Sequence, residues 1–146
     1  MSKECFFCDI KNEKDNNIFD EDKLFFARYS DFPVTKGHSE IFTKDHITSI
    51  SDLNKSQSEN LIPFIIKIKN HIKEKYNPDG INVGLNEGKA AGQSISHFHI
   101  HIIPRYKGDV KNPKGGVRNV IAIKADYTTQ VDSKFPERNK YLDKKI

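Results

Sequence analysis

The chain has 146 residues with a formal net charge of +4, and 36% of them are apolar and 30% charged. That length corresponds to one domain by the usual prior of ~100–200 residues, enough to bury a core without disulfide staples. Ten Phe and five Tyr argue against global disorder, and no apolar run approaches the ~18 residues of a membrane-spanning helix. Acidic residues are interspersed among Lys and Arg, which reads as solvated surface rather than a nucleic-acid face. The start, Met1-Ser2-Lys3-Glu4-Cys5, carries an acidic residue and no apolar signal region. The expectation is a cytoplasmic protein without a membrane or nucleic-acid partner.

In chain order, residues 16–29 read as a hairpin, with Asp20-Glu21-Asp22 at the turn and Leu24–Phe26 in the second strand. A loop with Pro33 and Gly37 follows, then a strand at Ser39–Thr43. From Asn54 to Tyr76 the period becomes helical, with Leu61, Phe64, Ile65, Ile68 and Ile72 on one stripe and Asn54 or Ser56 as the cap. Pro63 inside that run is expected to kink or restart the helix, and Asn77-Pro78-Asp79-Gly80 to stop it. Ile81–Leu85 and Ile95–Ile103 read as strands, the latter closed by Pro104; Gly115-Gly116 marks a turn and Val117–Ile123 a short strand. The resulting β-β-β-α-β-β order predicts an α+β fold, a mostly antiparallel sheet of about five strands with one long helix.

Two clusters carry chemistry. Cys5 and Cys8 form a C-x-x-C, a redox pair or half of a metal site. Nothing before Cys5 supplies the strand that a thioredoxin-like site wants, so the metal reading needs two more ligands, with histidine the place to look. Ser96-His97-Phe98-His99-Ile100-His101-Ile102-Ile103 alternates so that His97, His99 and His101 share one strand face. Three imidazoles side by side are costly to bury without partners, so beside the plain reading of satisfied histidines on a solvated strand face two functional readings compete: ligands of one catalytic metal, or a nucleophile with acid–base neighbours. The preceding Gly84–Ser94 stretch is a glycine-rich loop, which beside imidazoles looks like a phosphate cradle. His71, on the polar side of the helix, reads as surface.

Gln93-Ser94-Ile95-Ser96-His97-Phe98-His99-Ile100-His101 resembles the signature of the histidine triad (HIT) superfamily. Gly37-His38, Lys44-Asp45-His46, Asn86-Glu87-Gly88 and Ala91-Gly92-Gln93 resemble its further motifs, and Pro104-Arg105-Tyr106-Lys107-Gly108-Asp109 resembles the branch that hydrolyses dinucleoside polyphosphates. The resemblance covers about residues 5–125 of a single domain 1–146, with a C-terminal extension at 126–146. It implies a HIT-like fold, a homodimer that joins two sheets, and a small nucleotide substrate cleaved at the α-phosphorus through a nucleotidyl-histidine.

Laid onto this sequence, the resemblance makes His99 the nucleophile, His101 a phosphate ligand and donor toward the leaving group, and His38 the additional active-site histidine. Asn86, Gln93 and Ser94, with the Gly92 backbone, become the phosphate contacts. The zinc-bearing branch implies structural zinc on Cys5, Cys8, His46 and His97. The most fitting activity is hydrolysis of a dinucleoside polyphosphate such as diadenosine tetraphosphate. A nucleoside phosphoramidate hydrolase, a phosphorylase and a non-catalytic nucleotide sensor are the alternatives.

The sequence departs from the family in places. Ser30, with Asp31 beside it, stands where the family often has its ribose-binding Asp. Glu40, Phe42 and Thr43 replace usual apolar or proline residues, and Glu40 is read as facing solvent or the interior according to strand phase. Phe6, Phe7, Ile18, Phe19 and Phe25 are candidates for the base pocket, of which two at most are expected to serve. Lys107–Ala125 is expected to form a flap over the phosphates, with Arg118 as a charge clamp.

Overall fold

The computed structural model describes residues 5–14 and 16–125. A short helix α1 (Phe6–Asp9) leads into the hairpin β1 (Ile18–Glu21) and β2 (Phe25–Tyr29), followed by β3 (Ser39–Thr43), the long helix α2 (Lys55–Tyr76), β4 (Gly80–Gly84) and β5 (His99–Arg105). All strand pairings are antiparallel, in the order β1-β2-β3-β5-β4, which bears out the α+β reading. No helix among the described residues is long and apolar enough to cross a membrane.

The local chemistry explains the elements. Asp22 closes the hairpin, its Oδ1 accepting the N–H groups of Leu24 (2.7 Å) and Phe25 (2.8 Å). Asn54 caps α2 in a reciprocal box with Gln57, each side chain accepting the other's backbone N–H at 2.9 Å. Asn77, in the left-handed region at φ 46°, ends the helix. The helix runs unbroken through Pro63. Pro63 and Glu59, whose carbonyl loses its partner, both face solvent, so water can satisfy that carbonyl.

Strand alternation sorts the sheet into two faces. Phe25, Ala27, Ile41, Ile100 and Ile102 pack with Phe98 against Leu61, Phe64, Ile68 and Ile72 of α2. On the opposite face Phe26 and Phe42 pack against Phe7 of α1, whose ring stacks on Phe42 at 4.4 Å. Only one face is roofed by the long helix, and the other is left for chemistry.

Several boundaries differ from the sequence reading: Asp20 and Glu21 belong to β1 and leave the turn to Asp22, β2 runs on to Tyr29, β4 lies one residue earlier, and β5 shifts most. β5 begins at His99, not Ile95, because its ladder with β3 ends at the Phe42–His99 pair. Upstream, the Phe98 N–H turns to the Ile47 carbonyl instead (2.6 Å). The strand also passes through Pro104, which pairs with Ile81, and ends at Arg105. The chain divides into two compact units, the second beginning at Lys107. In that second unit residues 117–123 form 3-10 turns within Gly116–Lys124 rather than a strand. Gly115 and Gly116 both adopt positive φ, and the backbone satisfies itself locally, as in Arg118 N–H to Gly115 O at 2.9 Å. Arg118 Nε also donates to Ala125 O (3.0 Å). The expected extension at 126–146 lies outside the described residues.

The core assignment predicts that Ile68→Ala costs about 2–5 kcal/mol in urea unfolding, since Ile68 is wholly buried under the sheet. Ile62→Ala, on the exposed side of the same helix, should stay within about 0.5 kcal/mol.

Candidate active site and metal centre

α1 brings Cys5 and Cys8 over the end of β3, where they meet His46 and His97. Cys5 Sγ lies 3.4 Å from His97 Nδ1, and Cys8 Sγ lies 3.4 Å from His46 Nδ1 and 3.6 Å from His97 Nδ1. The four donor atoms all fall within 4.8 Å of one another. Zinc bonds of about 2.3 Å to sulfur and about 2.0 Å to nitrogen give tetrahedral S···N edges of about 3.5 Å, so the set has the dimensions of a closed Cys2His2 centre.

The surroundings also prepare the ligands. His97 Nε2 faces the Thr43 carbonyl at 2.8 Å, which places its proton there and leaves the Nδ1 lone pair toward the sulfurs. Burial holds His97 below its ordinary pKa, so the ring is the neutral form a metal requires. Burial, reinforced by neighbouring Cys5, pushes the Cys8 thiol up to about 11. A thiol held up in this way gives up its proton readily only to a cation, which fits Cys8 as a metal ligand.

A second chain of imidazoles follows along β5. His99 Nδ1 lies 2.8 Å from the His97 carbonyl and donates to it, so His99 Nε2 carries a free lone pair. The ring is nearly buried and packs against Phe7 at 5.0 Å. Next to it, Val34 N–H donates to His38 Nδ1 (3.2 Å), which puts the His38 proton on Nε2. That proton points at His101 Nδ1, 3.0 Å away, and leaves His101 Nε2 as a donor. Burial first, then His99 and His38, hold His101 down to about 4, and burial also lowers His38. The outcome is one nucleophilic nitrogen beside one donor N–H. Gly37, at φ +86°, permits the turn that delivers His38; a Cβ there would lie 2.7 Å from the Tyr76 ring.

Glu40 faces neither solvent nor the helix core. Paired with His101 across the β3–β5 ladder, it is buried on the histidine face. Its carboxylate accepts from Arg28 Nη1 (3.0 Å) and Ser30 Oγ (3.0 Å). Arg28, itself wholly buried, also holds Asp31 Oδ1 at 2.6 Å, which keeps that carboxyl below its usual range. Ser30 and Asp31 thus stand in one polar network beside His38 and His101, with Asp31 at the exposed margin. The alternation of Phe26 and Arg28 on β2 is the sequence signal that would have placed a guanidinium on the histidine face. His71 is not mere surface: half-buried, it stacks on Phe19 at 4.8 Å and hydrogen-bonds the Tyr29 hydroxyl at 3.1 Å.

The loop between β4 and β5 is tied down by side chains. Gln93 Oε1 accepts Gly88 N–H (2.8 Å) while its Nε2 donates to Thr48 O (3.1 Å). Glu87 Oε1 accepts from Ser49 Oγ (3.0 Å) and Ile50 N–H (2.6 Å). Gly92 and Ser94 are left exposed and Asn86 half-buried. Of the apolar candidates, Phe7 and Phe25 are fully buried and Phe19 belongs to the helix side, so Phe6 and Ile18 remain on the histidine face. Phe6 covers the Arg28 guanidinium at 5.2 Å.

An open antiparallel sheet with histidines on its unroofed face, a tethered loop before them and a Cys/His centre at their head define a histidine triad protein. The HIT domain family matches residues 11–108, and the chain belongs to that family. It is 36% identical to a bis(5'-adenosyl)-triphosphatase of Dictyostelium discoideum, over 68% of this chain and 66% of that one. Among solved structures, a HIT family protein of Bacillus anthracis superposes with a TM-score of 0.69 at 34% identity, covering 75% of this chain and 78% of the other. A zinc-bound histidine triad family protein of Mycobacterium smegmatis gives 0.66 at 28% identity, covering 74% and 79%.

Because His101 is held near 4 in the folded chain, the unfolded chain takes up its proton first as pH falls below the ordinary 6.5. Its contribution to stability is therefore complete above about pH 6.5 and shrinks toward pH 4. The Tm measured at pH 7 and pH 5 should accordingly differ less in His101→Asn than in the parent protein.

Proposed function

We propose that the protein is a nucleotide hydrolase acting on a dinucleoside polyphosphate of the diadenosine tetraphosphate type through a nucleotidyl-His99 intermediate. The observation that carries this reading is the pair of assigned protons: His99 Nδ1 donates to the His97 carbonyl, and His101 Nδ1 accepts from His38. The His99 Nε2 lone pair attacks the α-phosphorus while the bond to the bridging oxygen breaks, and that oxygen departs with the bonding pair. His101 Nε2–H hydrogen-bonds the oxygens on which charge develops. A neutral His101 that gave up its Nε2 proton would become an anionic imidazole, so it acts as donor to a group that leaves as a stable anion. A phosphate leaving group meets that condition. Water then forms the new bond to phosphorus as the P–N bond breaks, the electron pair returns to His99, and the water's proton passes to solvent.

In this reading Gly92, Gln93 and Ser94 present the phosphate cradle, with Asn86 behind it, and Ser30 with Asp31 lies toward the sugar. Cys5, Cys8, His46 and His97 hold a structural zinc, which pins α1 and the head of the histidine strand. The donor dimensions and the zinc-bound relative from M. smegmatis support this assignment.

Brief exposure to diadenosine tetraphosphate followed by denaturing mass spectrometry should reveal an AMP-sized adduct on the parent protein and none on His99→Ala. Absence of adduct and of nucleotide product, with binding intact, would move the assignment to a nucleotide sensor. His101→Ala should lower turnover by about 10²–10⁴-fold.

Cys8→Ser should abolish stoichiometric zinc in plasma emission analysis and lower Tm by about 10 °C, the shift that a loss of some 2–3 kcal/mol produces at this size. Unchanged Tm after metal loss would remove the structural role.

A further inference from the structure

Glu40 is a buried carboxylate on the face that carries the reacting groups. Within its network Arg28 brings one positive charge, while Glu40 and Asp31 bring two negative ones. Asp31 already meets the guanidinium at 2.6 Å from the exposed side. One negative charge is left over, and the residue set across the ladder from Glu40 is His101. A carboxylate oxygen of Glu40 and ring nitrogens of His38 and His101 all lie within 4.8 Å of one another. The charged and titratable groups acting on this histidine pair are Glu40 on β3 and His99 on β5, while Arg28 on β2 and Asp31 on the loop after it are linked to the pair through Glu40; the β4 residue opposite His101 is Gly84, which brings no charge.

We propose that Glu40, clamped by Arg28 and Ser30, is a positioning residue that serves as counter-charge for an additional proton taken up by the His38–His101 pair when an anionic substrate binds. The proposal rests on the nucleotidyl-His99 reading. There, the resting pair carries two protons and only hydrogen-bonds a leaving group that departs as an anion. With a third proton taken from solvent, His101 becomes an imidazolium whose Nε2 proton passes to the leaving atom, and the pair returns to its two-proton state. That extends the chemistry to leaving groups that need protonation, such as the amine of a nucleoside phosphoramidate, where the P–N bond of the substrate breaks as the amine nitrogen gains the proton.

A divalent cation between the same three residues is the competing use of this cluster. The hydrogen bonds argue against it: a metal on His38 Nε2 needs a lone pair there, while His38 Nδ1 already accepts the Val34 N–H at 3.2 Å. The same contact reports on the proposal. A third proton must reach His38 Nδ1 or face the proton already between the rings, so the Val34 N–H is displaced as the pair charges.

The charge of Glu40 acts in the same sense, raising both His38 and His101 against the larger lowering effect of their burial. The test is histidine and amide NMR of the full-length protein from pH 8 down to about pH 2.5, with and without AMP, for the parent, Glu40→Gln and the double variant Arg28→Met/Glu40→Leu. The charge of Glu40 should hold the imidazole midpoints about 1 unit above those of Glu40→Gln, with the Val34 amide following the same curve. Midpoints that agree within about 0.2 unit would overturn the proposal. The double variant removes the clamp and its counter-charge together and decides the matter if Glu40→Gln does not fold.

Kinetics supply an independent arm. Glu40→Gln should slow cleavage of adenosine phosphoramidate about tenfold at pH 7, one factor of ten per unit of lost proton affinity, and leave the 4-nitrophenyl ester of AMP unchanged. Equal losses on both substrates would overturn the proposal in favour of a packing role. If the parent forms no adduct and cleaves neither substrate, the nucleotide reading itself fails, whereas the NMR midpoints still judge Glu40.

Discussion

The register between β3 and β5 is the constraint on which the rest of this molecule depends. It sets Phe42 opposite His99, Glu40 opposite His101 and Ile41 opposite Ile100. A slip of one residue would turn the imidazoles into the apolar layer under α2 and expose Ile100 and Ile102 to water. The apolar residues on the helix side oppose that slip by the burial they would lose. The core on one face therefore enforces the chemistry on the other.

Given that register, backbone groups rather than side-chain acids orient the imidazoles. The Thr43 carbonyl sets His97, the His97 carbonyl sets His99, and the Val34 N–H sets His38, which in turn sets His101. His97, His99 and His101 are each left with one committed nitrogen and one available nitrogen, whereas both nitrogens of His38 are engaged. Three chemically identical side chains thereby differ in what they offer: His97 a lone pair toward the cysteine sulfurs, His99 an uncommitted Nε2 lone pair and His101 an Nε2 proton.

The two clusters divide the histidines cleanly. His97 turns toward the cysteines of α1 just before β5 begins, and His99 and His101 stay on the strand. Phe7 lies between the two functions, stacked on Phe42 and in contact with the rings of both His97 and His99. The helix α1 thus covers the upper end of the histidine face and also brings Cys5 and Cys8 to His97.

Much of this was legible in the residues themselves. Strand alternation over 97–101, the helical stripe from Leu61 to Ile72, the Asp22 turn and the Asn54 cap are encoded by neighbours a few positions apart, so local physics determines them. The start of β5 was not legible, because a strand extends only where a partner ladder exists, and β3 ends at Thr43. Nor was the setting of Glu40 and Arg28, a buried pair twelve residues apart that meet through the pairing of β2 with β3. The assembly of Cys5 with His97 spans 92 positions and awaits closure of the sheet. Which imidazole nitrogen holds its proton was likewise decided by the tertiary structure, because the backbone groups that settle it come together only when the strands are in register.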